Sequence, residues 1–244
     1  MKASPTDQRL LLDVAELDAR IRQSDHARRN PPQAARVQEL VGLRQIQSQE
    51  LSARLGVRDD VRAELTRAEA DVEVVDARRR RDEDRLQTAS NAKEAQGLES
   101  ELTALARRKG DLEDRVLELM ERLEVADAAV GEQERLIAAT NDEGARLSAD
   151  AKALVASETA RHDEASRDRA AVAARVPSEV LAQYDRLAQR GGTGAALLRR
   201  QTCEGCRMML SGTDLNTIRQ ASADDVVTCP ECGCILVRTE ESGL

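Results

Sequence analysis

The sequence contains no phenylalanine and no tryptophan, and Tyr184 is its single tyrosine. A broad globular core packed with aromatic rings is therefore excluded, whereas a long, thin core of Leu, Val and Ala is not. Proline is scarce, with five residues in 244, so helices can run far without interruption. No apolar run reaches the length of a membrane span, and the N-terminus Met1-Lys2-Ala3-Ser4-Pro5 lacks the hydrophobic segment of a signal peptide. Together these absences predict a cytoplasmic chain whose cysteines are reduced and favour metal over disulfide. Positive charge is also in deficit. The net charge of −8 argues against the whole molecule coating nucleic acid, but it leaves room for a local basic face.

Charged residues of both signs make up 34% of the chain, which is coiled-coil-like. Apolar residues recur at alternating spacings of three and four along Leu98, Leu102, Leu105, Leu112, Val116, Leu119, Leu123, Ala126, Val130, Ile137, Leu147, Ala151 and Leu154, with Lys109, Gln133, Thr140 and Gly144 in the gaps. This pattern puts one apolar stripe on an otherwise charged helix, roughly 85 Å long at about 1.5 Å per residue. Such a helix needs a partner to bury the stripe.

The partners are legible upstream. Ser4-Pro5 with Asp7 reads as a helix start, Leu10, Val14, Leu17 and Ile21 continue it, and Asn30-Pro31-Pro32 ends it. A second helix is expected from about Gln33 to Thr88, with Arg44, Arg54 and Arg58 falling on its apolar register and a loosened or bent stretch near Leu55-Gly56-Val57. The break at Ser90-Asn91 folds the third helix back on the second, with Asn91 as cap and Glu94 as its capping-box partner. Residues whose numbers sum to about 179 then lie opposite each other. The third helix is expected to weaken after Leu154, and a short one, Val180 to Arg190, to follow Pro177. The run Arg78 to Arg81, followed at once by three acids, reads as a solvated helix face, with a partner-binding patch as the second reading.

Beyond Gly191-Gly192-Thr193-Gly194 short apolar runs alternate with turns, which predicts small strands and a short helix over Asp214 to Gln220 capped by Thr213. Here Cys203-x-x-Cys206 and Cys229-x-x-Cys232 form two C-x2-C pairs. Two such turns, each aiming two sulfurs at one point, supply the tetrahedron that Zn2+ requires. With four thiolates the ion has no open position, so the zinc is structural. Iron in a rubredoxin-like half-site is the rival, against which the absence of aromatics counts. A thioredoxin-like dithiol requires one C-x2-C on a βαβ unit instead. Metal binding is expected to supply on the order of 10–16 kcal/mol to a head with little core, so Cys203→Ser or Cys229→Ser is expected to unfold the head and leave the helices intact. Cys234 reads as a small apolar residue at a strand start, with an alternative ligand or redox-sensitive thiol as the second reading. His26 and His162 stand in charged helical segments. No P-loop, Rossmann or G-x-S-x-G pattern occurs, so no enzyme is expected.

The expected fold is mainly α. It comprises a long antiparallel coiled-coil hairpin with an extra N-terminal helix at its base, and a small C-terminal β zinc ribbon. The expected domains are 1–176 (helical), 177–194 (short helix and Gly-rich linker) and 195–244 (ribbon). In this arrangement, and in Cys203-x-x-Cys206-x-Met208-x-Leu210, Cys229-Pro230-x-Cys232-Gly233-x-Ile235-Leu236 and Asn91-x-Lys93-Glu94-x-x-x-Leu98-Glu99, the chain resembles bacterial proteins that join a coiled-coil hairpin to a C4-type zinc ribbon. The resemblance implies a hairpin-turn motif at Asn91, Lys93, Glu94 and Leu98. It also implies a non-enzymatic adaptor or regulator that binds other proteins through the coiled coil. Ala95, Cys234 and Val237 depart from the aromatic and basic residues usual at those positions. The alternative function is DNA or RNA binding through the ribbon by Arg199, Arg200, Arg207, Arg219 and Arg238, against seven acids in the same segment. Neither reading involves a membrane or a small-molecule substrate.

Overall fold

The computed structural model describes residues 1–190 and 192–244. Its helices are α1 (Pro5–Arg29), α2 (Ala34–Thr88), α3 (Ala92–Ala173), α4 (Ser178–Ala188) and α5 (Gly212–Gln220). Its strands are β1 (Ala195–Arg199), β2 (Thr202–Cys203), β3 (Val227–Thr228) and β4 (Ile235–Val237). The chain forms two compact units, Ala35–Ser148 on the one hand and Met1–Ala34 with Ala149–Leu244 on the other. Helix α3 contributes to both.

The first of these is the antiparallel hairpin. Only Ala89, Ser90 and Asn91 separate α2 from α3. The ion pairs Arg36–Glu143, Glu64–Arg115 and Arg78–Glu101 each sum to 179, the register expected from the turn. Val61, Leu65 and Ala68 bury against Leu119, with Val116 and Leu123 alongside. A side chain as enclosed as Leu119, 1% exposed, contributes about 1.5–3 kcal/mol.

The polar interruptions in the stripe are each accommodated. Lys109 reaches across to Asp76 at 2.8 Å. Buried Gln133 donates from Nε2 to the Gln47 carbonyl at 2.9 Å, and Thr140 donates to its own helix at Leu136. Gly144 faces Leu40. Arg54, on the α2 register, donates to the Ala129 carbonyl at 2.9 Å and to Glu50. The expected loosening near Gly56 does not occur, and α2 is continuous through it. Gly56 is exposed, so it costs only helix propensity, about 1 kcal/mol, and spoils no packing.

In the second unit Ser4 caps α1, its Oγ accepting from the Asp7 N–H at 3.1 Å while Asp7 accepts in return. Asn30 closes the helix on the His26 carbonyl. Helix α3 does not weaken after Leu154 but runs on to Ala173, with Glu158, Ala165 and Ala173 buried. Arg169 of α3 donates to Asp18 of α1 at 2.8 Å, and Val172 packs against the core that holds Leu10, Leu11 and Val14 of α1. The extra helix therefore packs on the continuation of one hairpin arm.

The four-stranded sheet runs β2-β1-β4-β3, with β1 parallel to β4 and both outer pairs antiparallel. Strand alternation gives it two buried faces. Ala196, Leu198 and Leu236 face α5 and the cysteines. Ala195, Ile235 and Val237 share one core with Leu10, Leu11 and Val14 of α1 and with Val176, Val180 and Tyr184. The N-terminus adds to this junction: the Ala3 N–H donates to the Asp224 carbonyl at 2.8 Å, and the Val226 N–H to the Met1 carbonyl at 3.1 Å.

Residues from both chain ends thus complete the same core. In the Gly-rich segment Gly192 and Thr193 are exposed, whereas its last residue is held in place. Gly194 is buried against the ring of Tyr184, which a Cβ there would meet at 2.5 Å. Gly191 lies outside the described residues. Helix α5 begins two residues before the expected Asp214, and Ser211 rather than Thr213 caps it, accepting from the Asp214 N–H at 3.2 Å.

Candidate metal centre

Each C-x2-C pair sits at the tip of a tight β-turn, and the second turn repeats the first 26 residues later. Thr202 bridges Met209 as Thr228 pairs with Ile235. The Arg207 N–H donates to the Cys203 carbonyl at 2.7 Å, and the Gly233 N–H to the Cys229 carbonyl at 2.9 Å. The Cys203 N–H donates to Met208 and the Cys229 N–H to Cys234, at 3.0 and 2.8 Å. The residue after each second cysteine has a left-handed backbone, with φ of 61° at Arg207 and 75° at Gly233. Glycine takes this conformation freely and arginine does so under strain. Gly205 serves a different purpose. A Cβ there would come within 3.1 Å of Ala196 Cβ and 3.4 Å of Cys234 Sγ, so glycine lets the first turn close over the sheet.

The four sulfurs of Cys203, Cys206, Cys229 and Cys232 all lie within 4.8 Å of one another. Cys203 and Cys232 are 3.9 Å apart, and Cys206 and Cys229 are 3.8 Å apart. A zinc ion with bonds of about 2.3 Å to four thiolates requires tetrahedral edges of about 3.8 Å, so the site fits one structural zinc, held by these four residues. The thiols differ in environment. Burial pushes Cys229 up to about 12. Burial also acts upward on Cys232, but hydrogen bonds from the Cys234 backbone and from neighbouring thiols outweigh it and bring this exposed thiol down to about 7. A bound cation deprotonates all four.

The arginines of the ribbon are not equivalent. Arg238 makes five hydrogen bonds to the carbonyls of Ile218, Ala221, Ser222, Ala223 and Asp225, so its guanidinium closes the C-terminal end of α5. Arg199 pairs with Glu241 at 2.9 Å and with Glu204 at 3.6 Å. Arg200, Arg207 and Arg219 are exposed. The hairpin-turn residues belong to the other unit. There Asn91 Oδ1 accepts from the Glu94 N–H at 2.8 Å, and Asn91 Nδ2 donates to Glu94 at 3.3 Å. The cap half of the box is therefore present, while the return bond to Glu94 comes from the Asn91 side chain instead of its backbone N–H. Lys93 is exposed and Leu98 is buried.

Two features escaped sequence reasoning. The backbone role of Arg207 follows from aligning it with Gly233 across the repeat. Leu117 and Met120, 60% and 52% exposed, lie off the three-four stripe, and their departure from it was the available signal.

Residues 14–192 match the CT398-like coiled coil hairpin domain, and residues 202–236 match the C4-type zinc ribbon domain. The uncharacterized protein Rv2229c of Mycobacterium tuberculosis is 34% identical over 242 residues, covering 98% of each chain. ML1638 of Mycobacterium leprae is 30% identical over 184 residues, covering 72% of this chain and 77% of its own. A solved structure from Mycobacterium smegmatis superposes with a TM-score of 0.79 at 30% identity, covering 98% of this chain and all of that one. CT398 from Chlamydia trachomatis, 15% identical, shares the fold with a TM-score of 0.57 over 95% of this chain and 97% of its own. A hairpin in this register, joined to a ribbon whose four sulfurs fit one zinc, makes the chain a member of the CT398-like family of coiled-coil hairpin proteins with a C4-type zinc ribbon.

Proposed function

We propose that the chain is a non-enzymatic adaptor that docks protein partners on its hairpin and ribbon in the reducing cytoplasm. Hairpin and ribbon are generic interaction modules, and one observation carries the finer reading. On one side of the hairpin Val72, Val116 and Leu117 line a groove flanked by Glu69 and Glu113. Met120 follows one turn after Leu117. The hairpin already buries its stripe, so exposed Leu117 and Met120 are not needed to hold it together. An apolar strip edged by carboxylates suits a segment with apolar anchors and basic flanks. Met208 and Met209 of the ribbon, 51% and 72% exposed, offer adaptable contact surface of the same kind.

The test compares partners captured by the full chain with those captured by Leu117→Glu/Met120→Glu, each with and without nuclease. The adaptor reading expects nuclease-resistant partners that the variant loses while its thermal unfolding is unchanged. Partners stripped by nuclease, or kept by the variant, count against it.

Nucleic-acid binding is the second reading. It is favoured by Arg200, Arg207 and Arg219, which are exposed and have no carboxylate partner among the described residues. It expects binding that weakens steeply with salt, and a shallower salt slope in Arg200→Ala/Arg207→Ala. No binding of RNA or DNA at low salt removes it.

A further inference from the structure

The fifth cysteine occupies a distinct place in the ribbon. In the 26-residue repeat Cys234 stands where the first turn has Met208. Met208 is 51% exposed and Cys234 is 1% exposed. The Cys234 sulfur points inward to the metal ligands, 3.4 Å from Cys232 Sγ and 3.6 Å from Cys203 Sγ. It is outside the set whose sulfurs are mutually close, so it is a neighbour of the tetrahedron rather than a fifth corner. Cys232 is the exposed ligand, whereas Cys203 and Cys229 are buried. One thiolate that solvent can reach therefore lies beside a sheltered thiol that solvent cannot.

We propose that Cys232 and Cys234 form a peroxide-sensitive pair, in which Cys234 resolves oxidised Cys232 into a reversible disulfide and thereby releases the zinc. This rests on the zinc reading of the site but not on the adaptor reading. The Cys232 thiolate attacks an oxygen of a hydroperoxide. An S–O bond forms, the O–O bond breaks, and the departing hydroxide or alkoxide takes a proton from solvent. The Cys234 sulfur then attacks the sulfur of the sulfenic acid. The S–S bond forms, the S–O bond breaks, and the leaving hydroxide takes the Cys234 proton as water. Two thiols lose two electrons in all, and the peroxide gains them. Zinc is not reduced or oxidised, but it loses a ligand and with it the closed tetrahedron. Gly233, which lies between the two cysteines with φ of 75°, has no side chain to obstruct their approach. Without Cys234, the other thiols near the sulfenic acid are zinc ligands, Cys203 at 3.9 Å among them, and a second hydroperoxide transfers an oxygen to the sulfur, its O–O bond breaking to leave water or an alcohol; the resulting sulfinic acid is not reversed by thiol reductants.

The test treats the zinc-loaded full chain with hydrogen peroxide, reads released zinc with a chromogenic chelator, and then adds dithiothreitol. Cleavage after Glu231 separates Cys232 and Cys234 from Cys229 for mass spectrometry. The expected result is zinc release, loss of a pair of hydrogens from the Cys232–Cys234 peptide, and recovery of zinc binding on reduction. Cys234→Ala retains the four ligands and is expected to accumulate sulfinic acid at Cys232 and lose that recovery. Zinc retained under peroxide, a disulfide confined to other cysteines, or equal recovery in Cys234→Ala overturns the proposal. Should Cys234→Ala fail to bind zinc at the outset, the peptide map of the native chain decides: a Cys232–Cys234 disulfide supports the pair, and zinc release without it overturns the pair.

Discussion

The one aromatic residue has partners that no local pattern announces. Tyr184 is 1% exposed, and its hydroxyl donates to Asp18 Oδ2 at 2.8 Å. Arg169 bridges the same Asp18 to Asp185 at 2.6 Å. Burial, and then the hydrogen bond to Asp18, raise the Tyr184 hydroxyl well above its ordinary 10. A raised value in the folded state means that the stability it contributes is complete below the unfolded value near 10 and is lost as pH rises above it. Because the chain has a single tyrosine and no tryptophan, near-ultraviolet tyrosinate absorbance reports this group alone. It is expected to stay silent through the usual tyrosine range and to appear only as the unit unfolds in alkali. Tyr184→Phe is expected to cost about 1 kcal/mol in denaturant unfolding at neutral pH and to flatten the alkaline decline. An ordinary titration in the folded protein would contradict this arrangement.

At the scale of elements, the helices are where local chemistry and the final structure agree most closely. The Ser4 cap, the stop at Asn30, the break at Asn91 and the pairing register were all readable, because each depends on residues within a few positions or on one repeated spacing. The polar residues in the stripe were readable as gaps but not as interactions. Gln133, 3% exposed, reaches the Gln47 backbone, while the side-chain Oε1 of Gln47 is buried without a partner. A half-satisfied polar layer costs stability and restricts register. Gln133→Leu is therefore expected to raise the thermal midpoint of the hairpin by about 2–4 °C, read by circular dichroism. A lowered midpoint would mean that the Gln133–Gln47 hydrogen bond outweighs the apolar gain.

At the scale of the whole molecule, the ribbon does not stand alone. Ile235 and Val237 sit in the same core as Leu10, Leu11 and Val14, so the sheet and the N-terminal helix hold each other. The expectation that losing zinc unfolds the head and spares the helices changes accordingly. Cys229→Ser is expected to abolish zinc binding, as metal analysis would read. It is also expected to remove hydrogen-exchange protection from residues 5–29 together with the ribbon, while 35–148, a separate compact unit, keeps its own. Undiminished protection of α1 in a zinc-free variant would restore the simpler picture of an independent head.

Caps, periodicity and C-x2-C spacing act over short or regular separations, so the residues alone announce the ends of α1, the hairpin turn with its register, and the four cysteines whose spacing suits a zinc, but not the unbroken course of α2 and α3. Tertiary structure decided the rest. Asp18 and Tyr184 are 166 residues apart, and Lys2 pairs with Asp224 across 222. The direction of Cys234, toward Cys203 rather than solvent, depends on how two turns 26 residues apart fold onto one sheet. Contacts of that kind carry no periodic signature. They exist only once strand alternation has buried both faces of the ribbon and has called on the far end of the chain to cover one of them.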